Sequence, residues 1–342
     1  MKKILAVQFK YFGDAVFLIP SLLAIKEKFP NSELHLLVAK EIAPVFSNLK
    51  YIDKIWAVPR IRGKFNFFEL FPFIQALRKC NFDRAVDFGG NDRGAIFSFL
   101  CGARIRLGLV ESKLKILQKI SYTDRIDSHI LPTNYIHKNL NLLNSWGIYN
   151  FHNIKPQIIA SVNLKKQAQS VLKGRTIICH LGTSQPKKEW PIKKWQEFYI
   201  RLGNQQNLVA FSSGNSKRER NLLVNLKKLE PDIFVLPIIK SLDLYLAVLN
   251  EAQLFISGDT APLHFSHALG VRVVGLFGIY GSMQYASPIY SSKEKVTGSA
   301  CLCIGHLEHF EHCRSKKSCM NSIQPKEVLN LVNFKRIKNP QF

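Results

Sequence analysis

A glycine and a carboxylate stand together near the start of the chain, in the sequence Phe12-Gly13-Asp14. They follow a short apolar run, residues 4–9, and precede an apolar segment with the length of a helix. Glycine permits a tight turn and a close approach of the backbone, and a carboxylate at such a turn can act as a general base. The alternative is structural, because aspartate is also favoured as the capping residue at a helix start.

A loop of small residues follows residues 175–180, the first apolar run of the second half. It contains Thr183 and Ser184, and Lys188 comes soon after them. Backbone N–H groups and hydroxyls in such a turn can bind a phosphate, and a lysine adds a point charge. The alternative is a solvated basic loop.

A third loop, Ser257-Gly258-Asp259-Thr260-Ala261-Pro262-Leu263-His264, joins an apolar run to a predicted helix. Proline is typical of a first helical turn, and the open N–H groups at a helix start form an anion site. Asp259 is placed to hydrogen-bond a ribose or sugar hydroxyl, or only to cap the helix. His264 is expected to point back towards the phosphate loop, although a lone histidine is often structural.

These loops interrupt a regular alternation of strands and helices. In the first half we predict strands at 4–9, 33–38, 52–58 and 82–87, with helices at 15–29 and 67–79 and another starting at 94. In the second half we predict strands at 175–180, 207–211, 233–236, 254–257 and 271–277, with helices at 195–202, 217–228, 242–250, 262–269 and 325–332. Such alternation predicts parallel sheets covered on both faces, with ligands at the carboxyl ends of the strands.

The chain is strongly basic. It has 342 residues, of which 46% are hydrophobic, and its 48 Lys and Arg against 24 Asp and Glu give a net charge of +24. The hydrophobic fraction is that of a folded globular protein. The charge favours an anionic partner, such as nucleic acid, anionic lipid headgroups or a phosphorylated substrate.

The sequence favours the cytoplasm. No apolar stretch has the length of a membrane span. The N-terminal segment opens with two lysines and an apolar run like a signal peptide, but Gln8, Lys10 and Asp14 interrupt it, so we expect the first strand of the fold. The seven cysteines are an odd number, which argues against a disulfide framework.

Four of these cysteines, Cys301, Cys303, Cys313 and Cys319, lie near the C-terminus among three histidines. Such a set could hold a structural Zn²⁺ or iron ion. The Cys-x-Cys spacing is tighter than the usual Cys-x-x-Cys, and reduced structural thiols are the alternative. The other three, Cys80, Cys101 and Cys179, stand in apolar surroundings and are predicted to be buried.

Several well-known signatures are absent from the sequence: the dinucleotide-binding Gly-x-Gly-x-x-Gly after the first strand, the Walker loop, the Gly-x-Ser-x-Gly elbow and His-Glu-x-x-His. Their absence disfavours a dehydrogenase, a kinase, a hydrolase and a zinc protease.

Taken together and in this order, the loops resemble the heptosyltransferase family of bacterial glycosyltransferases, which build the lipopolysaccharide inner core. The resemblance covers most of the chain. Its matching elements are Phe12-Gly13-Asp14, Tyr51-Ile52-Asp53-Lys54, Asp87, Arg93, Gly102-Ala103, Gly108, Lys188-Glu189-Trp190-Pro191, and Asp259, Thr260, His264, Ala268, Leu269, Gly270 and Gly278.

The resemblance implies a GT-B fold, in which two Rossmann-like domains face each other across a central cleft. We expect residues 1–155 to form the acceptor-side domain, 156–325 the nucleotide-sugar donor domain, and 326–342 a C-terminal helix and basic tail. It also implies inverting transfer of a heptose from ADP-heptose, with no cofactor or metal required.

The resemblance also implies the site residues. Asp14 would be the catalytic base and Lys188 the contact to the donor diphosphate. The remaining donor-binding residues would be Thr183, Ser184, Glu219, Asp259, Thr260, Ala261 and His264, with Glu219 at the ribose or adenosine. The family usually has glycine where Ala261 stands, and the extra methyl group crowds the backbone near the sugar.

The implied acceptor is an anionic glycolipid, lipid A bearing Kdo or heptose, reached by peripheral contact with the cytoplasmic face of the inner membrane. Gly13, Arg60, Arg62 and Arg93 are the expected acceptor contacts. One alternative is a family relative with another nucleotide-sugar donor or a non-lipopolysaccharide acceptor, protein or capsule. A basic nucleic-acid-binding protein is disfavoured, because no nucleic-acid motif is present and the cations are spread over both halves.

Overall fold

The computed structural model describes residues 2–59, 67–110, 115–149, 154–278, 290–298 and 319–332, together with 334 and 337. The chain divides into two compact units, Met1–Ile159 and Ala160–Phe342. Each unit is built around its own parallel β-sheet. No helix in the described ranges is both long enough and apolar enough to cross a membrane.

The first unit has a six-stranded sheet in the order β3-β2-β1-β4-β5-β6. Its strands are β1 (Lys3–Gln8), β2 (Glu33–Ala39), β3 (Lys54–Val58), β4 (Arg84–Asp87), β5 (Ile105–Val110) and β6 (Asp124–Asp127). Its helices are α1 (Phe12–Lys28), α2 (Phe67–Arg78), α3 (Asp92–Leu100), α4 (Ile116–Ser121) and α5 (Tyr135–Leu142).

Strand β1 lies at the centre of this sheet because it is apolar on both faces. Residues Ile4 to Val7 are fully buried, and β1 pairs in parallel with β2 on one side and β4 on the other. A continuous run of this kind is typical of a strand covered by helices on both faces.

The strand order reverses between β1 and β4. The chain leaves β1 for β2 and β3 and then returns to place β4 on the other side of β1. Connections after the two strands therefore run to opposite faces of the sheet and open a crevice at their carboxyl ends. The segment around Gly13 and Asp14 follows β1, and Asp87 ends β4, so both belong to this edge.

The second unit has a five-stranded sheet in the order β11-β10-β9-β7-β8. Its strands are β7 (Ile177–His180), β8 (Val209–Ser212), β9 (Leu254–Gly258), β10 (Arg272–Phe277) and β11 (Lys295–Thr297). Its helices are α6 (Lys165–Leu172), α7 (Ile192–Arg201), α8 (Lys217–Leu229), α9 (Leu242–Glu251), α10 (Ala261–Ala268) and α11 (Pro325–Val332).

Three elements of the second unit differ from expectation. The predicted strand at 233–236 is reduced to a single parallel bridge between Val235 and Phe211. Strand β11 was not predicted, since it has only three residues. Helix α6 was not predicted either, because it is short and rich in lysine and glutamine, so its sequence shows little of an apolar face.

The second sheet reverses its order between β7 and β9, which are direct neighbours. Hydrogen bonds tie the carboxyl ends together: the Ser257 hydroxyl donates to the carbonyl of His180 at 2.9 Å, and the His180 ring lies 2.9 Å from the Ser212 hydroxyl. Burial lowers the pKa of His180 to about 4, so its ring is neutral and structural. The loops that follow β7 and β9 thus start from a rigid platform.

An aromatic cluster anchors the loop after β7. Trp190 and Trp195 are both buried and pack edge to face, with ring centroids 4.9 Å apart. The Trp190 indole N–H donates to the carbonyl of Ile323, just before α11. This bond fixes the chain only two residues after Lys188.

Candidate functional site

The loops after β7 and β9 bring Lys188 and Asp259 into contact. Their Nζ and Oδ2 atoms are 2.5 Å apart, and both side chains are largely buried. Gly258 makes this approach possible, because a Cβ atom there would lie 2.7 Å from the carbonyl oxygen of Lys188. Two residues predicted separately therefore form one ion pair.

A second partner holds the other oxygen of Asp259. The His264 Nε2 atom lies 3.3 Å from Oδ1. Burial by itself would raise the pKa of Asp259, but the hydrogen bond from His264 and the positive charge of Lys188 outweigh it and lower that pKa to about 2. Asp259 is therefore a permanent negative charge at neutral pH.

Tyr290 completes this group and was missed by sequence reasoning. Its buried hydroxyl lies 2.6 Å from Nδ1 of His264. Burial and the negative charges of Asp259 and Glu294 raise its pKa well above the usual value, so the hydroxyl stays protonated. It donates to Nδ1, which leaves the ring proton on Nε2, where it points to Asp259.

Arg218, at the start of α8, shapes the loop after β7 and was also not predicted. Its guanidinium donates to the carboxylate of Glu189 and to the carbonyl of Thr183. The Thr183 hydroxyl donates to the carbonyl of Gln185 at 2.6 Å, and Thr183 is fully buried. The hydroxyl expected to meet a phosphate is thus turned into the loop, whereas Ser184 is exposed.

Glu219 lies beside the same loop. It is in the first turn of α8, where the Ser216 hydroxyl donates to Oε2 at 2.5 Å. A Cβ atom on Gly182 would lie 2.7 Å from Oε1, and one on Gly214 would clash with the same carboxylate. The two glycines therefore bring the backbone at the ends of β7 and β8 against this carboxylate.

Thr260 and Ala261 form the start of α10. Thr260 is the capping residue with an extended backbone, and its side chain makes no cap hydrogen bond. Ala261 is the first helical residue and is followed by a proline, as predicted. The positive end of the helix dipole therefore lies next to the Lys188–Asp259 pair.

In the first unit, α1 begins at Phe12 and not at Ala15 as predicted. Gly13 is consequently part of the first helical turn, so the expectation of a tight turn at Gly13 is wrong. Asp14 reaches back to accept a hydrogen bond from the Tyr11 N–H at 3.1 Å. Its carboxylate thus serves the helix start while remaining only half-buried.

Asp87 is a second buried acid in the first unit, at the end of β4. The Tyr122 hydroxyl donates to it at 2.6 Å, and the Gly89 N–H donates at 2.8 Å. Burial raises the pKa of Asp87 to about 6, although these hydrogen bonds act in the opposite direction.

Of the three arginines predicted to contact the acceptor, only Arg93 lies within the described residues. Arg93 donates to the carbonyl of Pro59 at 2.7 Å and lies over the Phe9 ring, while Arg60 and Arg62 fall outside the described residues.

Of the four candidate metal ligands, Cys301, Cys303 and Cys313 lie outside the described residues. Cys319 is a half-buried free thiol, and the described part of the chain contains no cluster of three ligands for a metal ion.

The other thiols agree with expectation in part. Cys101 and Cys179 are buried and free, and Cys80 is only half-buried. Burial raises the pKa of Cys101 to about 11, so this thiol is unreactive near neutral pH.

The family model of glycosyltransferase family 9 (heptosyltransferase) matches residues 70–314. The chain is 21% identical to lipopolysaccharide heptosyltransferase 3 of Escherichia coli over 291 residues, which is 79% of this chain and 81% of that protein.

Solved glycosyltransferase structures share the fold. A family 9 glycosyltransferase from Veillonella parvula has a TM-score of 0.76 at 17% identity, with 98% of this chain and 97% of that chain covered. The E. coli ADP-heptose lipopolysaccharide heptosyltransferase II has a TM-score of 0.72 at 17% identity, with 98% and 99% covered. The predicted class, α/β with two Rossmann-like domains of the GT-B type, is confirmed.

Replacing Asp87 by asparagine should make stability less dependent on pH. The folded-state pKa of about 6 lies above the value of ~3.9 in an unfolded chain. The folded protein thus holds this proton more tightly, and stability is lost as the pH rises through that window. The loss amounts to roughly 2 kcal/mol between pH 4 and pH 7.

Urea unfolding at several pH values measures this effect. The free energy of unfolding of Asp87→Asn, relative to the wild type, should rise across the window. A difference that stays constant between pH 4 and pH 7 would contradict the raised pKa.

Replacing Tyr290 by phenylalanine should allow His264 to carry its proton on either ring nitrogen, because the hydroxyl that donates to Nδ1 is lost. Nitrogen NMR of histidine-labelled protein should show an unprotonated Nδ1 in the wild type and mixed tautomers in the variant, with His264→Gln assigning the signal. Loss of the buried hydrogen bond should cost about 1–2 kcal/mol of stability. Tyr199→Phe, at another buried tyrosine of the same unit, is the matched control and should leave the His264 signal unchanged.

Proposed function

The chain belongs to glycosyltransferase family 9, and from that premise we propose that it transfers a heptose from ADP-heptose to the lipopolysaccharide inner core with inversion. The observation that carries the proposal is the Lys188–Asp259–His264 group at the start of α10. It combines a cation, a permanent anion and a helix N-terminus in one place. The cation and the helix N-terminus suit the diphosphate of a nucleotide sugar, and the carboxylate can accept a hydrogen bond from a sugar hydroxyl.

The donor diphosphate would lie at Lys188. As the glycosidic bond of the donor breaks, ADP departs with an additional negative charge, which a nearby cation and a helix dipole stabilise. Lys188 is held in place by Asp259, 2.5 Å away, so its charge would be shared between that carboxylate and the diphosphate. These groups can replace the metal ion that many glycosyl transfers use, and we propose that none is required.

The nucleoside would lie at Glu219. Its carboxylate lies against Gly182 and Gly214, at the ends of β7 and β8. A carboxylate binds the two hydroxyls of a ribose well, because each hydroxyl donates a hydrogen bond to it. The E. coli structural relative with a TM-score of 0.72 is named for both ADP-heptose and lipopolysaccharide, which supports the proposed donor and acceptor.

Asp14 would act as the general base. It would take the proton from the acceptor hydroxyl while that oxygen bonds to the anomeric carbon and ADP leaves from the opposite side. Arg93, together with Arg60 and Arg62, would bind the anionic groups of the acceptor. Gly13 would let the acceptor approach the backbone of the first turn of α1.

The acceptor is proposed to be a glycolipid reached from the cytoplasmic face of a membrane. The net charge of +24 suits an anionic membrane face and a phosphorylated lipid. A family relative with another nucleotide sugar, or with a protein or capsule acceptor, is the alternative. Ala261 is the residue that favours a different donor, because its methyl group stands where the family usually has glycine.

One experiment distinguishes these candidates. The purified chain is incubated with ADP-heptose, or with a panel of other nucleotide sugars, and with Kdo-bearing lipid A. Mass spectrometry of the lipid should show one added heptose, and only with the ADP-heptose donor. Transfer from another donor, or hydrolysis of ADP-heptose without transfer, would favour the alternative.

Removal of the Lys188 charge should weaken ADP binding. Lys188→Ala should raise the dissociation constant roughly 10- to 100-fold, because a charge-assisted contact is lost and Asp259 is left to repel the diphosphate. Calorimetry in the presence of EDTA measures the effect without a metal ion. Lys193→Ala, an exposed lysine on α7, is the matched control, and an equal effect of both changes would contradict the assignment.

Asp14→Asn should slow transfer strongly while leaving the donor bound. The amide oxygen can still accept the hydrogen bond from Tyr11, so the helix start is preserved while the base is lost. We expect kcat to fall by roughly 10²- to 10⁴-fold, with the ADP dissociation constant unchanged. Glu27→Gln, on the same helix, is the control, and intact transfer by Asp14→Asn would show that the base lies elsewhere.

A further inference from the structure

Helix α4 presents an unusual outer face. Ile116 and Ile120 lie one turn apart and are 76% and 57% exposed. Lys115 and Lys119 flank them with the same spacing and are also exposed. The packing of the described residues of the first unit does not explain two isoleucines at this level of exposure.

The inner face of α4 is well defined. Gln118 and Ser121 are buried, and the Gln118 amide donates to the carbonyl of Gly90 at 3.1 Å. Leu117 packs against a small cluster of Ala95, Val110 and Tyr122. The helix is therefore fixed in rotation, and its isoleucines point away from the unit.

The neighbouring side chains extend this face. Arg106 donates to the carbonyl of Ser121, the last residue of α4, at 2.7 Å. Its guanidinium also lies 5.8 Å from the ring of Phe99, which is 45% exposed on α3. We define the α4 surface as Phe99, Arg106, Lys115, Ile116, Lys119 and Ile120.

The charge of the α4 surface distinguishes between two possible binding partners, a second copy of the chain and a lipid bilayer. Two acidic side chains lie at the margin of this surface: Asp92, which pairs with Lys115 at 3.2 Å, and Asp124, beside Thr123. The three cations Arg106, Lys115 and Lys119 outnumber these two carboxylates, so the surface keeps a net positive charge, in a chain of net charge +24. A second copy would bring like charges together, whereas lipid headgroups of opposite sign would be attracted and the isoleucines would enter the acyl boundary.

We propose that the α4 surface docks the protein on a bilayer containing anionic phospholipid. The proposal rests on the proposed function only in that the acceptor is a membrane lipid, which such docking would keep within reach of the enzyme. The binding combines burial of apolar side chains, which salt does not weaken, with attraction of the lysines, which salt screens.

Vesicle sedimentation tests this surface. The full chain is mixed with phosphatidylcholine vesicles with and without phosphatidylglycerol, at low and high salt. The wild type should bind only the anionic vesicles. The Ile116→Ser/Ile120→Ser variant should bind them roughly tenfold more weakly at either salt concentration, and Lys115→Gln/Lys119→Gln should lose binding mainly at low salt.

The matched control replaces exposed apolar residues elsewhere. Ile200 on α7 and Val224 on α8 are each about half exposed in the second unit, and Ile200→Ser/Val224→Ser should bind vesicles like the wild type. Equal loss in both pairs, or no change in the α4 variants, would overturn the proposal. A dimer in sedimentation equilibrium that Ile116→Ser/Ile120→Ser disperses would also overturn it and assign the surface to self-association.

An assay of heptose transfer separates failure of the proposed reaction from failure of the proposed docking surface. Heptose transfer to a detergent-solubilised acceptor should be unchanged in the α4 variants, because no α4 residue belongs to the proposed site. Absence of transfer by the wild type, combined with vesicle binding that depends on α4, would refute the reaction and retain the surface.

Discussion

The buried carboxylate of Asp259 is the group around which the second unit is organised. Removing a charge from water is costly unless partners of opposite charge and hydrogen bonds replace the lost hydration. Lys188 and His264 supply both, one from the loop after β7 and one from α10. Because both partners are required, the loop and the helix are held together at the point where the sheet reverses its strand order.

The remaining parts of the site support this pair. Gly258 lets the backbone of Lys188 approach the end of β9, and Trp190 ties the same loop to the segment before α11. The Tyr290 hydroxyl donates to Nδ1 of His264, which keeps the ring proton on Nε2. Nε2 therefore donates a hydrogen bond to Asp259. An ion pair that is fixed from several sides needs little reorganisation when an anionic ligand arrives, and this preorganisation is what electrostatic catalysis requires.

The first unit also contains a buried aspartate at the end of a strand, but its pKa is shifted in the opposite direction to that of Asp259. Asp87 ends β4, next to the strand-order reversal, and its partners are a tyrosine hydroxyl and a backbone N–H, without a cation in direct contact among the described residues. Its pKa therefore rises to about 6, whereas that of Asp259 falls to about 2. The same side chain at the same kind of strand end takes a different role because the neighbouring charge differs. Asp14, which lies at the same edge and remains half-buried, is better suited to exchange a proton with a substrate.

The sequence by itself determined the local elements and pointed to the loops on which the proposed function rests. Apolar runs and helix-start signals are local, so β1, β9 and α10 were predicted within a few residues. The motifs also singled out Asp14, Lys188, Asp259 and His264 as candidate site residues. The start of α1 was misplaced because Gly13 and Asp14 have low helix propensity, so the first helical turn is not evident from the sequence.

Only the tertiary structure decided which side chains meet. Tyr290 is 26 residues from His264 in sequence, Arg218 is 35 from Thr183, and Tyr122 is 35 from Asp87, and no periodicity in the sequence connects such pairs. The failure of the predicted strand at 233–236 has the same origin, because a strand exists only where a neighbour offers a full row of hydrogen bonds, and Val235 finds one bridge to Phe211. Side-chain partners and strand pairing are properties of the folded chain, since both depend on contacts between segments that are distant in sequence.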